Sequence, residues 1–187
     1  MKKILSLGLV GLSVFLLSAC GGPSSDSNNK RDGVSSDIVE KAENKSSDGE
    51  KATFKDNVLE NKDYKIEFKD NQVLDGYDGK KVLVVNYTYT NKSDKDRSPS
   101  SDLIFDTRMT QDAEKTTEQL YSGSLSFETS EANPEIEQKN EMATKDVKPQ
   151  QTVECAYLVA LVNDSPVKVS FKSNFQDIEG TKIIEVQ

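Results

Sequence analysis

Apolar residues are distributed unevenly and divide the chain into three segments. Of the residues of types A, V, I, L, M, F, W, Y and C, 13 fall in residues 1–20, five in residues 21–52 and 46 in residues 53–187. This division predicts an apolar leader, then a segment with almost nothing to bury, and then one folded domain. The 46 apolar residues of the last segment are enough for one hydrophobic core.

The third segment alternates apolar and polar residues, which is the pattern of half-buried β-strands. Its clearest strand is KVLVVNYTYT at residues 81–90. Val82 and Val84 make the first half of this strand apolar on both faces, which predicts a central strand covered on both sides. The residues that share the other face are Leu83, Val85, Tyr87 and Tyr89. Further strands are predicted at residues 64–68, 103–105, 108–110, 151–162, 167–171 and 183–186.

Three stretches between these strands have weaker patterns. Residues 91–102 are polar and predict a surface loop. Asn133-Pro134-Glu135 has the composition of a helix start, so either a short helix or an ordered loop follows it. A weaker strand is predicted to include Leu120, Tyr121, Leu125 and Phe127. Seven to nine strands without a long helix predict an all-β fold, an antiparallel β-sandwich over residues 53–187.

The first segment has the features of a secretory signal that ends at a lipidation site. Two lysines precede an apolar stretch from Ile4 to Leu17, which is shorter than the roughly 20 residues that a membrane-spanning helix needs. The stretch ends in LSAC, which resembles the bacterial lipobox. We therefore expect residues 1–19 to be a signal peptide, with cleavage between Ala19 and Cys20 and a diacylglyceryl group on Cys20. An ordinary secretory signal and a signal anchor are the alternatives.

Residues 20–52 are expected to form the lipidated N-terminus and a disordered tether. Residues 21–52 contain no aromatic residue, seven serines, five basic and seven acidic residues. A segment with so few apolar side chains cannot offset the entropy that ordering it would cost. The tether would hold the domain away from the membrane lipid that receives the acylated Cys20. A protein-binding motif within this segment is the alternative.

Charge and composition exclude several classes of function. The formal net charge is −8, and the chain has neither histidine nor tryptophan. Without histidine, neither a Ser-His-Asp triad nor a His-ligated zinc site can form. The negative balance argues against nucleic acid as a partner. Residues 53–187 hold 17 basic and 25 acidic residues, so most of the acidity belongs to the domain.

Few residues of the domain are candidates for chemistry. Cys155 is the second cysteine, and its apolar alternation partners favour a small buried side chain over an intermolecular disulfide or a reactive nucleophile. Asp94, Asp96 and Asp102 could suggest calcium, but the EF-hand pattern is missing and a solvated loop is favoured. Phosphate-loop, nucleophile-elbow and dinucleotide motifs are also missing. We therefore predict no catalytic residue, no metal site, no cofactor and no enzymatic activity.

One aromatic residue is a candidate for contact with a partner. Tyr77 lies in DGYDG, a turn sequence with a glycine on each side, and it is the tyrosine that we expect to be most exposed. Packing of its ring over the end of the sheet is the alternative. Tyr77 is thus the single predicted binding residue.

Five stretches of the domain, in the same order, resemble a family of Firmicutes lipoproteins that is known only as a domain of unknown function. They are DYKIEFKD, KKVLVVNYTYTNKSDK, FDTRMTQDAEKTTEQLY, NPEIEQKN and VKPQQTVECAYLVALVNDSPVKVSF, within residues 54–175. The resemblance implies an immunoglobulin-like, telokin-like sandwich and supplies no catalytic residues. Ala113 and Gln150 stand where the family usually has glycine, so both turns are expected to differ somewhat in backbone conformation.

These observations predict a lipoprotein on the extracytoplasmic face of the cell membrane, held by its lipid. The β-sandwich would be a non-catalytic module for binding or interaction, with a protein or cell-wall partner that the residues do not identify. An accessory or solute-binding component of an envelope transport system is the alternative. Solute receptors usually have two lobes, however, and this chain has one domain.

Overall fold

The computed structural model of the protein describes residues 52–173 and 176–186, apart from the side chain of Gln176. The predicted signal peptide, the lipidation site at Cys20 and residues 20–51 of the tether lie outside the described residues. The boundaries 1–19 and 20–52 therefore stay predictions. Ala52 is buried, and its backbone N–H donates a 3.0 Å hydrogen bond to Oγ of Ser173.

Nine strands, all antiparallel to their neighbours, form two sheets within the described residues. This arrangement confirms the predicted antiparallel sandwich of seven to nine strands. The first sheet has the order β1-β2-β3-β4-β7, with β1 Thr53–Lys55, β2 Val58–Glu60, β3 Tyr64–Asp75, β4 Lys81–Asn91 and β7 Thr152–Ala160. The second has the order β6-β5-β8-β9, with β5 Thr107–Asp112, β6 Thr117–Gln119, β8 Val167–Ser173 and β9 Gln176–Ile184.

The main core lies between the two sheets and follows from the alternation of the strands. Alternate residues of β4 are fully buried there, as the sequence predicts. They meet inward residues of the second sheet, including Phe171 of β8. The ring of Phe54 in β1 stacks on Phe171 with centroids 3.7 Å apart, so the N-terminal strand closes this core.

A second, smaller core covers the outer face of the first sheet. It contains Val82, Val84 and Leu158 of the sheet together with Leu125 and Ile136. Ile136 belongs to helix α3, Pro134–Ala143, which packs against β7. This packing confirms that β4 is a central strand whose first half is covered on both faces. Of the two alternatives for the residues after Asn133, a short helix or an ordered loop, the structure has the helix.

Two predicted strands are wrong. Residues 103–105 lie in helix α1, Pro99–Asp106, where Leu103 is buried but Ile104 and Phe105 are exposed. Three consecutive apolar residues cannot share one face of a helix. The sequence Ser98-Pro99, with proline at the first helical position, is a helix-start signal. The prediction overlooked it because the apolar triplet that follows resembles a strand.

The predicted weak strand over Leu120–Phe127 is also replaced. Strand β6 ends at Gln119, and helix α2, Phe127–Ala132, begins where the strand was expected to finish. Between them the chain crosses the end of the first sheet with isolated bridges, Ser122 to Val159 and Gly76 to Leu125. The crossing buries Leu120 and Leu125 and leaves Tyr121 and Phe127 exposed.

The two turns that depart from the family pattern behave differently. Gln150 has φ of 62°, the left-handed region in which glycine is the usual residue. Its side-chain amide donates a 2.9 Å hydrogen bond to the backbone oxygen of Lys92. The glutamine therefore still adopts a conformation that a glycine would adopt without strain. Ala113 has an ordinary φ, and its N–H donates to the backbone oxygen of Thr116 at 2.8 Å.

Candidate functional site

The turn between β3 and β4 presents Tyr77 to solvent. Tyr77–Gly79 form a single 3-10 turn in which Asp78 and Gly79 have φ of 55° and 70°. Tyr77 is 68% exposed, which confirms its predicted exposure, although Tyr121 is exposed to the same extent. Two consecutive positive φ angles fold the chain back sharply, and this sharp reversal is what the Gly-flanked turn sequence encodes.

Two glycines allow the segment from Leu120 to Ser126 to lie directly against this turn. A Cβ on Gly123 would come within 2.8 Å of the backbone nitrogen of Ala160, and one on Gly76 within 2.5 Å of a methyl group of Val82. The contact is fixed by backbone hydrogen bonds, from Tyr77 N–H to Ser124 oxygen at 3.0 Å and from Gly123 N–H to Leu158 oxygen at 2.9 Å. Backbone hydrogen bonds therefore join the crossing segment both to the turn and to β7.

A cleft of about 360 Å³ lies between the turn and the crossing segment. We call it the tyrosine cleft. Tyr77, Lys80 and Val82 line it on one side of the chain reversal, and Ser122, Gly123, Ser124 and Ala160 also line it. The tyrosine cleft thus combines one aromatic ring with short polar groups, which is a common composition of binding sites.

Exposed apolar side chains occur on the segments that meet at this end of the first sheet, although among them only Tyr77 lines the tyrosine cleft. Seven large apolar residues are exposed among those the structure describes, and four of them belong to this end of the first sheet. Besides Tyr77 these are Tyr121 at 68%, Phe127 at 76% and Val162 at 54%. The sequence prediction missed Tyr121 and Phe127 because it placed them on a strand with Leu120 and Leu125. The spacing of these two residues, six positions apart, does not indicate that both are exposed, because the path of the crossing segment depends on the close approach of Gly123 to β7.

The charges beside the tyrosine cleft are solvated and nearly balanced. Nζ of Lys81 lies 2.6 Å from a carboxylate oxygen of Asp75, and both side chains are exposed. The hydrogen bond to Asp75 raises the pKa of Lys81, which stays cationic. Asp78 and Lys80 line the cleft itself. This end of the sheet therefore has no strong preference for a charged ligand.

A second cluster of titratable groups lies at the other end of β4, and its members form hydrogen bonds with one another. Asp102, predicted in a solvated loop, is instead buried in α1. Its carboxylate accepts from the hydroxyl of Tyr89 at 2.5 Å and from Nε of Arg97 at 2.9 Å. The bond to Asp102 raises the pKa of Arg97 further. Asp94 and Asp96 are exposed, as predicted for that loop.

Asp106, one turn further along α1, accepts a hydrogen bond from the hydroxyl of Tyr64. Burial raises the pKa values of both Asp106 and Tyr64. Arg97 lies over the Tyr64 ring at 5.5 Å from its centroid and so joins the two carboxyl groups in one network. Because every one of these side chains is engaged with another, the cluster fixes α1 on the sheet rather than presenting groups to a ligand.

Cys155 is buried in the main core, as the alternation predicts. Burial raises the pKa of its thiol to about 12. A thiol that is protonated and enclosed cannot act as a nucleophile near neutral pH.

Within the described ranges, no group of three or more Cys, Asp or Glu side chains is placed to hold a metal ion. None of the helices there has the length and apolar composition needed to cross a bilayer.

Residues 39–173 match the family described as Domain of unknown function (DUF5067). The chain belongs to this family. The matched range begins within the expected tether and includes every strand up to the end of β8. DUF5067 is thus the domain of unknown function that the sequence resembles.

Two solved structures have the same fold. A Staphylococcus aureus protein described as a "putative lipoprotein" is similar with a TM-score of 0.61 and 18% identity, covering 72% of this chain and 92% of that one. A protein from Enterococcus faecalis is similar with a TM-score of 0.59 and 17% identity, covering 74% and 95%. No protein of curated function matches the chain. At these identities the likeness concerns the fold of DUF5067 alone.

Proposed function

We propose that this protein is a membrane-anchored, extracytoplasmic lipoprotein whose β-sandwich binds a partner through the tyrosine cleft and catalyses no reaction. The anchor is supported by the LSAC sequence ending at Cys20. The description of the similar Staphylococcus aureus protein as a "putative lipoprotein" agrees with it. Two acyl chains hold a protein at a bilayer far more stably than one, because each buried CH₂ contributes about 0.8 kcal/mol.

The observation that carries the binding proposal is the pair of exposed tyrosines on a rigid frame. Tyr77 and Tyr121 are each 68% exposed, although tyrosine is mostly part of the core elsewhere in this domain. Their backbones are held by hydrogen bonds to Ser124 and Ala160. Tyrosine rings supply a large contact area with little loss of rotamer freedom, which is why they are enriched at binding surfaces.

A solute-binding role in an envelope transport system is the second candidate. The volume of the tyrosine cleft, about 360 Å³, lies within the range of small-molecule sites, roughly 300–1,000 Å³. A small solute would then occupy the cleft while a larger partner would cover the whole rim. Protection of Tyr77 but not Tyr121, which is equally exposed, from iodination by a mixture of small envelope solutes would favour this candidate.

The anchor is tested by counting thiols and by fractionation. In guanidinium chloride the purified protein should show one thiol per chain toward Ellman's reagent, because only Cys155 would be free once the Cys20 sulfur is alkylated. Two thiols per chain would contradict lipidation. Cys20→Ala should move the protein out of the membrane fraction or leave it unprocessed, whereas Ala52→Ser, a change of similar size, should leave it in place.

The cleft is tested by placing a photo-crosslinking phenylalanine derivative at position 77, 121 or 105 in cells. Position 105 is the control, because Phe105 is 66% exposed but lies on α1. We expect one discrete adduct from positions 77 and 121 and no such adduct from position 105. Equal adducts from all three positions, or none from 77 and 121, would overturn the proposal.

A further inference from the structure

The outer face of the second sheet carries three cations in one area. Lys168 and Lys172 point outward from β8 while its valines point into the core. Ser170 lies between them and is opposite Arg108 of the neighbouring strand β5 in the register. Strand pairing therefore places the three cations around one hydroxyl group.

None of these three cations forms an ion pair within the described residues, although both acid and base are common in the domain. The six ion pairs found there all involve other residues. On the outer face of the first sheet, by contrast, Lys65 pairs with Glu67 at 3.0 Å and Lys139 pairs with Glu154 at 2.9 Å. The three cations of the second sheet thus have no ion-pair partner among the described residues, although Asp177 lies opposite Lys172 in the register.

These cations line a groove of about 500 Å³ that runs across β5 and β8. Thr110 adds a hydroxyl group to it, whereas the Ser170 hydroxyl donates to the backbone oxygen of Arg108 at 3.3 Å. Asp112 and Asp177 also line the groove, and Asp177 is opposite Lys172 in the register. Four residues along a strand span about 13 Å. The Cα atoms of Lys168 and Lys172 are therefore expected roughly that far apart, and Arg108 is opposite Ser170, the residue midway between them.

We propose that this groove binds a chain-like ligand that carries at least two phosphoryl groups. A phosphoryl group has close to two negative charges and several acceptor oxygens near neutral pH, so it needs more than one cation and accepts from hydroxyl groups as well. Arg108 can share one phosphoryl group with Lys168 and the next with Lys172. A ligand with a single anionic group would leave one of the cations unused.

A soluble ligand fits this groove better than a bilayer surface. The groove is recessed, whereas lipid head groups form a broad surface that would meet the rest of the acidic domain, with its 17 basic and 25 acidic residues. A small ligand experiences mainly the charges within a Debye length, about 8 Å at physiological ionic strength. The groove lies on the second sheet, so the inference is independent of the tyrosine cleft.

The experiment measures binding of sodium tripolyphosphate to the full-length protein, purified in a non-ionic detergent, by isothermal titration calorimetry. We expect saturable binding that weakens with added salt, and much weaker binding of inorganic phosphate. Lys168→Gln, Lys172→Gln and Arg108→Gln should each weaken binding about fivefold, the effect of roughly one favourable cation contact. Lys65→Gln and Lys139→Gln are the matched controls, and they should bind as the wild type does.

Asp177→Asn is expected to tighten binding, a result that partial unfolding of the variant could not produce. Asp177 is opposite Lys172 in the register of β8 and β9, so removing its charge should tighten tripolyphosphate binding about twofold or more. Glu154→Gln on the first sheet is its control, with no change expected.

Four results would overturn the proposal. They are no binding of tripolyphosphate at millimolar concentration, equal affinity for inorganic phosphate, equal weakening by Lys65→Gln and Lys168→Gln, or no tightening by Asp177→Asn. Binding to phosphatidylglycerol vesicles without binding to tripolyphosphate would instead assign the face to a membrane and would also overturn it. Thermal unfolding of each variant checks that these exposed substitutions leave the fold intact.

Discussion

The outer faces of the two sheets are built from the same kind of alternating strand, yet they differ in almost every respect. The first sheet is covered by α3 over Val82, Val84 and Leu158, and the lysines beside that cover are paired with acids. The second sheet presents the serine, lysines and arginine of β5 and β8, and none of those cations forms an ion pair within the described residues. The difference shows that the residue types at the outward positions of a strand depend on whether another element packs over them. Apolar outward residues mark a cover, and unpaired cations mark a surface left open.

The largest expected effect comes from truncating an isoleucine to alanine on each of the two faces. Ile136 of α3 is 2% exposed in the cover of the first sheet, and Ile183 of β9 is 54% exposed on the second. Ile136→Ala should lower the free energy of unfolding by about 3 kcal/mol, whereas Ile183→Ala should cost less than about 0.5 kcal/mol. Urea unfolding of the purified protein measures both. Similar costs at the two positions would show that the first sheet gains no stability from its cover.

The second test asks whether a paired charge contributes to the stability of the fold. Asp102 is nearly buried and holds Arg97 and Tyr89, so Asp102→Asn should lower the free energy of unfolding by about 2 kcal/mol. Glu154 pairs with Lys139 on the exposed face of the first sheet. Glu154→Gln should leave the urea midpoint unchanged within error, because exposed pairs contribute little. A large effect of Glu154→Gln would mean that the paired lysines are structural.

The third test uses pH at the point where α1 joins the first sheet. Burial raises the pKa of Asp106 above its unfolded value, so its ionisation opposes folding. The contribution of this group to stability is therefore largest below the unfolded pKa and is lost as pH rises through the folded pKa. In Asp106→Asn that loss is absent, and the amide oxygen can still accept from Tyr64. The difference in unfolding free energy, variant minus wild type, should increase between pH 4 and pH 7. A difference that decreases over this range would contradict the assignment.

The smallest effect concerns the turn that leads from α3 into β7. Gln150 at φ 62° is strained, and glycine would relieve that strain, which for a left-handed residue is about 1 kcal/mol. Loss of its hydrogen bond to Lys92 offsets part of the gain. Gln150→Gly should therefore raise the melting temperature slightly. Gln151→Gly, one residue further on and outside the left-handed region, should lower it, because glycine adds only entropy to the unfolded chain there. Effects of the same sign would contradict this account.

Much of the sandwich could be predicted because alternation is a local signal. The sequence around Val82 and Val84 predicted both the strand and its cover, and Pro134 predicted the start of the covering helix. Cys155 could be placed in the core from its neighbours alone. In each case the residues that decide the outcome are close together in the sequence.

The candidate sites depend on contacts between distant residues and so could not be predicted in the same way. Tyr77 was found because its turn sequence is local, whereas Tyr121 was missed because the approach of Gly123 to β7 sets its exposure. The alternation of β8 shows that Lys168 points outward. Only the strand order reveals that β5 brings Arg108 beside it. Tertiary pairing, rather than the local pattern, decides these positions.

The attachment of Ala52 has a mechanical consequence. Any force that reaches the domain along the chain from residue 51 acts first on a residue that is hydrogen-bonded to Ser173 of the second sheet. It next acts on β1, which is paired with the first sheet through β2. Such a load must break that hydrogen bond and separate Phe54 from Phe171 before it can reach β3 and β4. The resistance of the domain to pulling from its N-terminal side is therefore set by the contacts that Ala52 and β1 make with both sheets. Phe54 is the residue on which these contacts depend.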